Sequence, residues 1–386
     1  MKPVIATFVS YYLPGYKAGG PLQSIANLVD RLEDEFDFRI VTSNHDLGEE
    51  ASYPDVPAMN WVPVGKAQVM YLPEKRLSLG EIASIINNIQ PDALYLNSFF
   101  DRRFTILPLL ARRLGRLLRE LPVVLAPRGE FSEGALRLKR FKKKSFLLAS
   151  RLAGMYSGLV WHASTRHEAS DIRATMGEVD IMCAVDLPRR LGKPSLRKPR
   201  REGDPLRVAF LSRLSPMKNL LYALDVLAKV RTPTVFTIYG PREDEEYWRR
   251  CAAAIAAMPP HVEVIEAGPI HHSEVVPTLA LHDLFFLPTL GENYGHVFAE
   301  ALEAGLRLLI SDQTPWLNLA AAGVGYDLPL GDPDAFVRAI ETEAAAIRID
   351  DDVLTLRNYL ESALNVEETV EANRALFLKA VDRRMR

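Results

Sequence analysis

Cysteine and long apolar runs are both scarce in this sequence. Only Cys183 and Cys251 occur among 386 residues, and neither belongs to a Cys-x-x-Cys pair or a Cys/His cluster. This argues against a disulfide framework and against a structural zinc site. No uninterrupted apolar run reaches about 18 residues, and residues 1–16 lack the apolar core of a secretion signal. We therefore expect neither export nor membrane spanning, and a cytoplasmic location.

A Gly-x-Gly-x-x-Gly motif is also missing after the first apolar run, residues 4–9. Its absence argues against a dinucleotide-dependent dehydrogenase. No repeat of about 20 to 50 residues is visible, which argues against a solenoid or propeller. The chain is 48% hydrophobic and 25% charged, and its length exceeds what one hydrophobic core usually supports. These properties predict a globular protein of two domains.

Positive charge is unevenly distributed. Residues 1–200 carry 29 Lys and Arg against 21 Asp and Glu, although the whole chain has a net charge of −2. Two clusters hold much of this excess and could face anionic lipid or nucleic acid: Arg137, Lys139, Arg140, Lys142, Lys143 and Lys144, then Arg189, Arg190, Lys193, Arg197, Lys198, Arg200 and Arg201. Leu136, Leu138, Phe141, Phe146 and Leu147 intermix with the first cluster. That segment fits either an amphipathic helix on an anionic membrane or a solvated helix.

Strand-like apolar runs alternate with helical patterns along the whole chain. The runs in the first half are residues 4–9, 38–42, 68–72, 93–96, 123–126 and 159–162, and a second series begins at residue 206. This alternation predicts an α/β fold of two doubly wound, Rossmann-like domains facing a cleft. We place the N-terminal domain at residues 1–190, a Pro- and Arg-rich linker at 191–205, the second domain at 206–365 and a terminal helix at 366–386.

The segment FFLPTLGENYGHVFAEALEAG, residues 285–305, runs from an apolar strand through a Gly-broken loop into a helix. Glu292 precedes the helix and Glu300 lies on its second turn. The amides of Gly295, His296 and Val297 at the helix start could bind a phosphate, since they lack intrahelical acceptors. One carboxylate could then reach a sugar, and the other could accept hydrogen bonds from a pair of vicinal hydroxyl groups. The alternative is an ordinary N-terminal acid and a solvated glutamate.

Two further segments could bind an anion. In LSRLSPMKNLL, Ser215 and Pro216 predict a helix start, and Arg213 and Lys218 would lie at the edge of the sheet where ligands bind. A solvated loop pair is the alternative. In the first strand-to-helix loop, Gly19 and Gly20 permit close backbone approach to an anion, or simply form a flexible loop.

Several polar groups suggest a metal but fit other roles better. Asp332 and Asp334 match the Asp-x-Asp pattern formally, but Asp332 followed by a proline is more typical of a helix N-cap. Residues 350–352 also match, and we expect them to form a solvated acidic turn. His271 and His272 lack a carboxylate at helical ligand spacing, so we expect their loop to line a nucleobase pocket. His162 ends a strand and reads as a core or rim histidine. We expect no required metal.

Taken together, these segments resemble the retaining glycosyltransferases of the GT-B fold, glycosyltransferase family 4. The resemblance covers nearly the whole chain, and the motifs that carry it are AGGPLQSIANL, APRGEFSEGAL, FLSRLSPMKNL, GENYGHVFAEALEAG and ISDQTPWLNL. Arg128 and Gly129 stand where many relatives have a histidine that contacts the donor sugar. Gly305, Leu306 and Arg307 replace the usual Gly-x-Pro.

The resemblance implies transfer of a hexose from a nucleotide-diphosphate sugar, with retention of configuration. A UDP-sugar is the donor expected first. It implies that Glu292 holds sugar hydroxyls, Glu300 the ribose, and Arg213 with Lys218 the diphosphate. The amides of Gly19, Gly20 and of residues 295–297 would assist, and Arg128 would act on the sugar side. No cofactor is implied, and the terminal helix would cross back to the N-terminal domain.

The implied partners are the donor and a glycan or lipid-linked acceptor, as in surface polysaccharide synthesis. Peripheral contact with the inner face of an anionic membrane is a further expectation, and nucleic acid is not expected as a partner. A sugar epimerase of the GT-B fold and a non-catalytic protein that binds nucleotides or glycans remain alternatives.

Overall fold

The chain forms two compact α/β units in a computed structural model. Unit 1 comprises Met1–Arg189 and Val366–Arg386, and unit 2 comprises Arg190–Asn365. The structure describes residues 1–73, 78–117, 121–132, 136, 140–192, 200–292, 294–346 and 351–384. Part of the predicted linker, residues 193–199, and part of the first basic cluster, residues 137–139, therefore lie outside the described residues.

Unit 1 is built on an eight-stranded sheet of order β3-β4-β2-β1-β5-β6-β7-β8. Its strands are β1 (Val4–Phe8), β2 (Asp37–Ser43), β3 (Trp61–Val64), β4 (Ala67–Leu72), β5 (Ala93–Asn97), β6 (Val123–Ala126), β7 (Val160–Ala163) and β8 (Asp180–Cys183). Among the strands that the structure describes in this unit, β3 alone runs antiparallel, against β4. The central strands β1 and β5 pair in parallel, and the chain order reverses between them.

The helices of unit 1 connect these strands as crossovers. They are α1 (Gly20–Leu32), α2 (Leu79–Ile89), α3 (Leu107–Arg113, which follows a π-helical turn at Arg102–Ile106), α4 (Arg140–Leu152) and α5 (Arg166–Met176). A terminal helix, Val366–Arg384, packs against β5, β6 and α1. We label it α12 below.

Unit 2 has a six-stranded, wholly parallel sheet of order β11-β10-β9-β12-β13-β14. Its strands are β9 (Leu206–Leu211), β10 (Thr234–Tyr239), β11 (Val262–Gly268), β12 (Leu284–Leu287), β13 (Arg307–Ser311) and β14 (Gly325–Leu328). Its helices are α6 (Leu220–Leu227), α7 (Glu245–Ala256), α8 (Val275–Leu279), α9 (His296–Glu303), α10 (Pro333–Ala345) and α11 (Asp351–Leu364). The predicted class of two doubly wound, Rossmann-like units is confirmed.

The helix predicted to start at Ser215 starts instead at Leu220. Pro216–Lys218 forms a single 3-10 turn, and Asn219 adopts a left-handed conformation with φ 60°. Ser215 makes no side-chain cap. The apolar pattern of this segment predicts a buried stripe of Leu220, Leu221, Leu224 and Leu227. Leu220, Leu224 and Leu227 are fully buried, whereas Leu221 is half-buried.

Candidate functional site

The topological switch point of unit 2 lies between β9 and β12, where the order of strands reverses. Ligands of doubly wound sheets bind beyond the carboxyl ends of the strands at such a point. Arg213 and Lys218 follow β9, and Glu292 follows β12. These three side chains, predicted from two separate motifs, are therefore brought to one edge of the same sheet.

Lys218 and Glu292 form a close ion pair. The lysine Nζ lies 2.5 Å from the carboxylate Oε2, and the two side chains are only 16% and 18% exposed. Charged hydrogen bonds of this kind are short and stronger than neutral ones. The charge of Lys218 is therefore compensated by the very carboxylate expected to bind a sugar.

The loops that carry this ion pair are joined through the backbone. Met217 O accepts hydrogen bonds from Leu290 N at 2.8 Å and Thr289 Oγ1 at 3.1 Å. Asn219 Nδ2 donates to Pro288 O at 3.0 Å. The turn that holds Lys218 is thus fixed to the segment that precedes Glu292.

Arg213 is not joined to that pair. Its Nη1 donates to Glu243 Oε1 at 2.7 Å, and both side chains are more than a third exposed. Glu243 lies in the loop after β10, the strand next to β9. Sequence reasoning missed Glu243, because nothing in its own segment marks it as a partner of Arg213.

Helix α9 begins beside Glu292, with Gly295 as its N-cap at φ 81°. A Cβ atom at Gly295 would lie 2.4 Å from the Phe298 ring, so a larger residue would meet both steric conflict and backbone strain. Phe298 N is already bonded to Gly295 O at 2.9 Å. The amides of His296 and Val297 begin the helix, where partial positive charge attracts anions.

Glu300 is buried on α9, one turn after His296. Its Oε1 lies 3.3 Å from Nδ1 of His272, a residue of the 3-10 turn that follows β11. Sequence reasoning expected His271 and His272 to line a nucleobase pocket but did not pair His272 with Glu300. The carboxylate expected to hold the ribose and the expected base-side loop are thus in contact.

In unit 1, Arg128 is enclosed by hydrogen-bond partners. Its Nε and Nη2 donate to Asn97 Oδ1 at 3.1 and 2.9 Å, Nη2 donates to the Tyr95 hydroxyl at 2.8 Å, and Nη1 pairs with Asp186. Burial acts to lower the pKa of Arg128, but Asp186 and Tyr95 outweigh it and the pKa is raised. In this arrangement the guanidinium is engaged with the protein itself.

The same network reaches the strand β7 and the helix α1. The Tyr95 hydroxyl lies 2.8 Å from Nδ1 of His162. The other ring nitrogen of His162, Nε2, lies 2.7 Å from Ala184 O. Burial first, and then the charge of Arg128, lower the pKa of His162. His162 is therefore a satisfied core histidine, as predicted. Asp186 also accepts from Ser24 Oγ at 2.8 Å on α1.

Gly19 and Gly20 lie at the start of α1. Gly19 is the N-cap with φ 67°, and no atom lies within 4 Å of a Cβ built there. Asp46 holds the preceding loop through Tyr16 N at 2.9 Å and Lys17 N at 3.2 Å. The first glycine therefore has the open, left-handed backbone that close approach of a ligand requires. Unit 1 thus holds Gly19, Gly20 and Arg128, and unit 2 holds the remaining predicted residues.

No group of three or more His, Cys, Asp or Glu side chains is placed to hold a metal ion in the described parts of the chain. Among the helices that the structure describes, none is both long and apolar enough to cross a bilayer.

Comparison with known proteins agrees with this architecture. Residues 193–343 match the family of Glycosyl transferases group 1. Phosphatidyl-myo-inositol mannosyltransferase of Mycobacterium tuberculosis strain H37Rv is 29% identical over 183 residues, which are 45% of this chain and 47% of that protein. The chain thus spans about half the length of the curated relatives it matches.

Solved structures are similar over nearly the whole chain. Sucrose-phosphate synthase from Thermosynechococcus elongatus has a TM-score of 0.69 and 13% identity, over 98% of this chain and 99% of that one. Anabaena HepE in complex with UDP-glucose has a TM-score of 0.69 and 14% identity, over 97% and 99%. At these identities the likeness establishes the fold, which is two parallel-sheet Rossmann-like domains of the GT-B type.

Proposed function

We propose that this protein is a retaining hexosyltransferase of glycosyltransferase family 4. Its donor is a nucleotide-diphosphate sugar, with a UDP-sugar as the first choice, and its acceptor is a glycan or lipid-linked sugar of surface polysaccharide synthesis. The observation that carries the proposal is the Lys218–Glu292 ion pair at the switch point of unit 2, beside the start of α9. The family match supports it, because residues 193–343 contain every predicted site residue of unit 2.

The proposed roles follow from charge and position. Lys218 and Arg213 neutralise the diphosphate, and the amides of residues 295–297 hold it by hydrogen bonds at the positive end of α9. Glu292 accepts from sugar hydroxyls and Glu300 from the ribose. The leaving group is a nucleoside diphosphate, so fixed cations and amides that meet its developing charge lower the barrier. No step assigned to these residues requires a metal.

The ion pair itself suggests how the donor is received. Lys218 is compensated by Glu292 before a donor arrives. A diphosphate that approaches Lys218 supplies a new counter-charge, so Glu292 is freed to accept hydroxyl groups of the sugar. Binding of the phosphate end and of the sugar end would therefore be linked.

In unit 1 we propose that Gly19 and Gly20 bring backbone amides to the donor and that Arg128 acts on the sugar side. The Asp186–Ser24 link joins the Arg128 network to the helix that Gly19 and Gly20 begin. A change at Arg128 would therefore be felt at that loop.

The test is sugar transfer by Glu292→Ala and Lys218→Ala. Lys218→Ala should lower kcat/KM by about a hundredfold or more, the size of effect seen when one preorganised group that stabilises developing charge is removed. Glu292→Ala should also lower kcat/KM, because the sugar hydroxyls lose their acceptor and Lys218 loses its partner. Lys229→Ala is the control, because Lys229 is an exposed lysine of the same unit that pairs with Asp334. Full activity in both site variants would show that the site assignment is wrong. The anomeric configuration of the first product, read by NMR, tests retention.

We also propose that α4 rests on an anionic membrane surface, with the enzyme at the cytoplasmic face. Phe141, Leu148 and Leu152 are 87%, 63% and 82% exposed and recur along one side of the helix. Phe146 and Leu147 of the same helix pack against the core of unit 1. Lys142 and Arg151 are also exposed on α4, and the helix contains no acidic residue. Apolar side chains with basic neighbours are typical of helices at anionic interfaces.

Vesicle sedimentation tests this contact. The wild-type protein should bind vesicles rich in phosphatidylglycerol and not vesicles of phosphatidylcholine alone, and Phe141→Ser with Leu148→Ser should weaken binding more than tenfold. Leu281→Ser is the control, since Leu281 is 55% exposed on unit 2. Absence of binding of the wild-type protein to the anionic vesicles would refute the membrane contact.

A further inference from the structure

The loop after β13, like the turn at Met217, is hydrogen-bonded to the segment around Glu292. We call Ser311, the last residue of β13, together with residues 312–316 the β13 loop. Ser311 Oγ donates to Thr289 O at 2.5 Å, Gln313 O accepts from Glu292 N at 3.2 Å, and Trp316 Nε1 donates to Tyr294 O at 2.7 Å. The β13 loop therefore contacts the backbone on both sides of Glu292.

Trp316 is itself firmly held. It is 7% exposed, and its ring meets Phe298 edge-on with centroids 6.2 Å apart and Tyr359 at 6.5 Å. Its backbone N donates to Thr314 Oγ1 at 3.2 Å. An indole fixed on several sides can hold its single donor in one direction, which is what a positioning group must do.

The peptide that Trp316 bonds is the one that leads into α9. Because a trans peptide unit is planar, its C=O and the following N–H lie in one rigid plane and point in opposite directions within it. The bond to Tyr294 O therefore sets the direction of the Gly295 N–H. That glycine is the N-cap of α9 and has a left-handed backbone that many residues cannot adopt.

We propose that Trp316 is a positioning residue for the diphosphate end of the donor site, acting through the Tyr294–Gly295 peptide. This inference rests on the proposed function, since it assumes that a nucleoside diphosphate binds at the start of α9. Trp316 lies one layer behind the site and touches no substrate in this account. Its effect on binding should depend on whether the ligand carries phosphates.

The experiment compares Trp316→Phe with the wild type. Phenylalanine keeps an aromatic ring against Phe298 and Tyr359 but lacks the N–H donor. Dissociation constants are measured by calorimetry for UDP, GDP and ADP, and by ligand-observed NMR for the matching nucleosides. Trp248→Phe is the control, because Trp248 is equally buried in unit 2 and its ring stacks with Arg242 at 4.3 Å.

Trp316→Phe should weaken binding of the preferred nucleoside diphosphate about five- to tenfold, the worth of one buried hydrogen bond, and leave nucleoside binding unchanged. Trp248→Phe should change neither. Equal weakening for nucleoside and diphosphate, with a lowered melting temperature, would assign Trp316 a purely structural role and overturn the inference.

The two proposals can fail separately. If the wild type binds a nucleoside diphosphate and Trp316→Phe binds it equally well, the positioning role fails and the donor site stands. If the wild type binds none of the three diphosphates, the proposed function fails and the inference fails with it.

Discussion

Arg213 and Lys218 follow the same strand, but each is paired with a different carboxylate. Lys218 pairs with Glu292 across 74 residues and Arg213 with Glu243 across 30. Such partners are set by which strands are neighbours in the sheet. Lys218, Glu292 and Glu300 lie in recognisable sequence motifs and were candidates from the sequence. Glu243 became a candidate only in the structure, because its pairing with Arg213 depends on the order of strands in the sheet.

Glu243 pairs with Arg213, so under the proposed function it would compete with the donor diphosphate for that guanidinium. Glu243→Gln should therefore tighten binding of a nucleoside diphosphate by up to about fivefold, since exposed ion pairs are worth at most about 1 kcal/mol. The measurement is calorimetric titration at low salt, where the difference should be largest. Glu266→Gln is a matched control, because Glu266 pairs with Arg242 at similar exposure.

The opposite result would also be informative. Weaker binding in Glu243→Gln would mean that Glu243 orients Arg213 toward the diphosphate instead of occupying it. The competitive interpretation would then be wrong.

At the scale of elements, helix α6 illustrates how tertiary contacts override a local pattern. A helix continued from Ser215 would use the bond from Leu221 N to Met217 O. Leu221 N instead donates to the Tyr247 hydroxyl at 2.9 Å, and Met217 O accepts from Leu290 N. Both ends of that helical bond have partners distant in sequence, so the helix starts later and Lys218 lies on a tight turn.

The strands absent from the sequence expectations share a position. β3, β8 and β14 are short strands at the edges of their sheets. Their burial is mixed, so neither the continuous apolar run of a central strand nor a clear alternation is present. The interior strands of unit 1 carry more buried side chains, and the predicted apolar runs from residues 4–9 to 159–162 correspond to them.

Helix α12 contributes a large aromatic residue to unit 1. Phe377 is fully buried, with ring centroids 5.5 Å from Phe36, 5.8 Å from Phe38 and 5.2 Å from Tyr95. Phe377→Ala should lower the free energy of unfolding of unit 1 by about 3 to 5 kcal/mol. Leu378→Ala, at a neighbouring position that is 42% exposed, should cost under about 1 kcal/mol.

Hydrogen exchange with mass spectrometry separates the two units in this test. Peptides from residues 4–43 and 93–126 should lose protection in Phe377→Ala, and peptides from 206–346 should not. Equal loss in both sets of peptides would contradict the assignment of α12 to unit 1 alone.

At the scale of the whole molecule, the two units differ in how much of their function could be predicted. The alternation of strand-like and helical patterns in the sequence was sufficient to predict the fold class of both units. The family match covers residues 193–343, where the candidate phosphate-binding and carboxylate segments are concentrated. In unit 1 the network around Arg128, Asn97 and Asp186 joins three distant segments and has no local pattern.

The division of the chain into units has a consequence for its synthesis. The chain leaves unit 1 at Arg189 and returns to it at Val366. A ribosome that has released residues 190–365 has provided every strand of unit 2, but unit 1 still lacks α12 and the ring of Phe377. Domains usually complete folding in the order of synthesis. Here the second unit can finish first, while the apolar surface around Phe36 and Phe38 that Phe377 covers is still exposed.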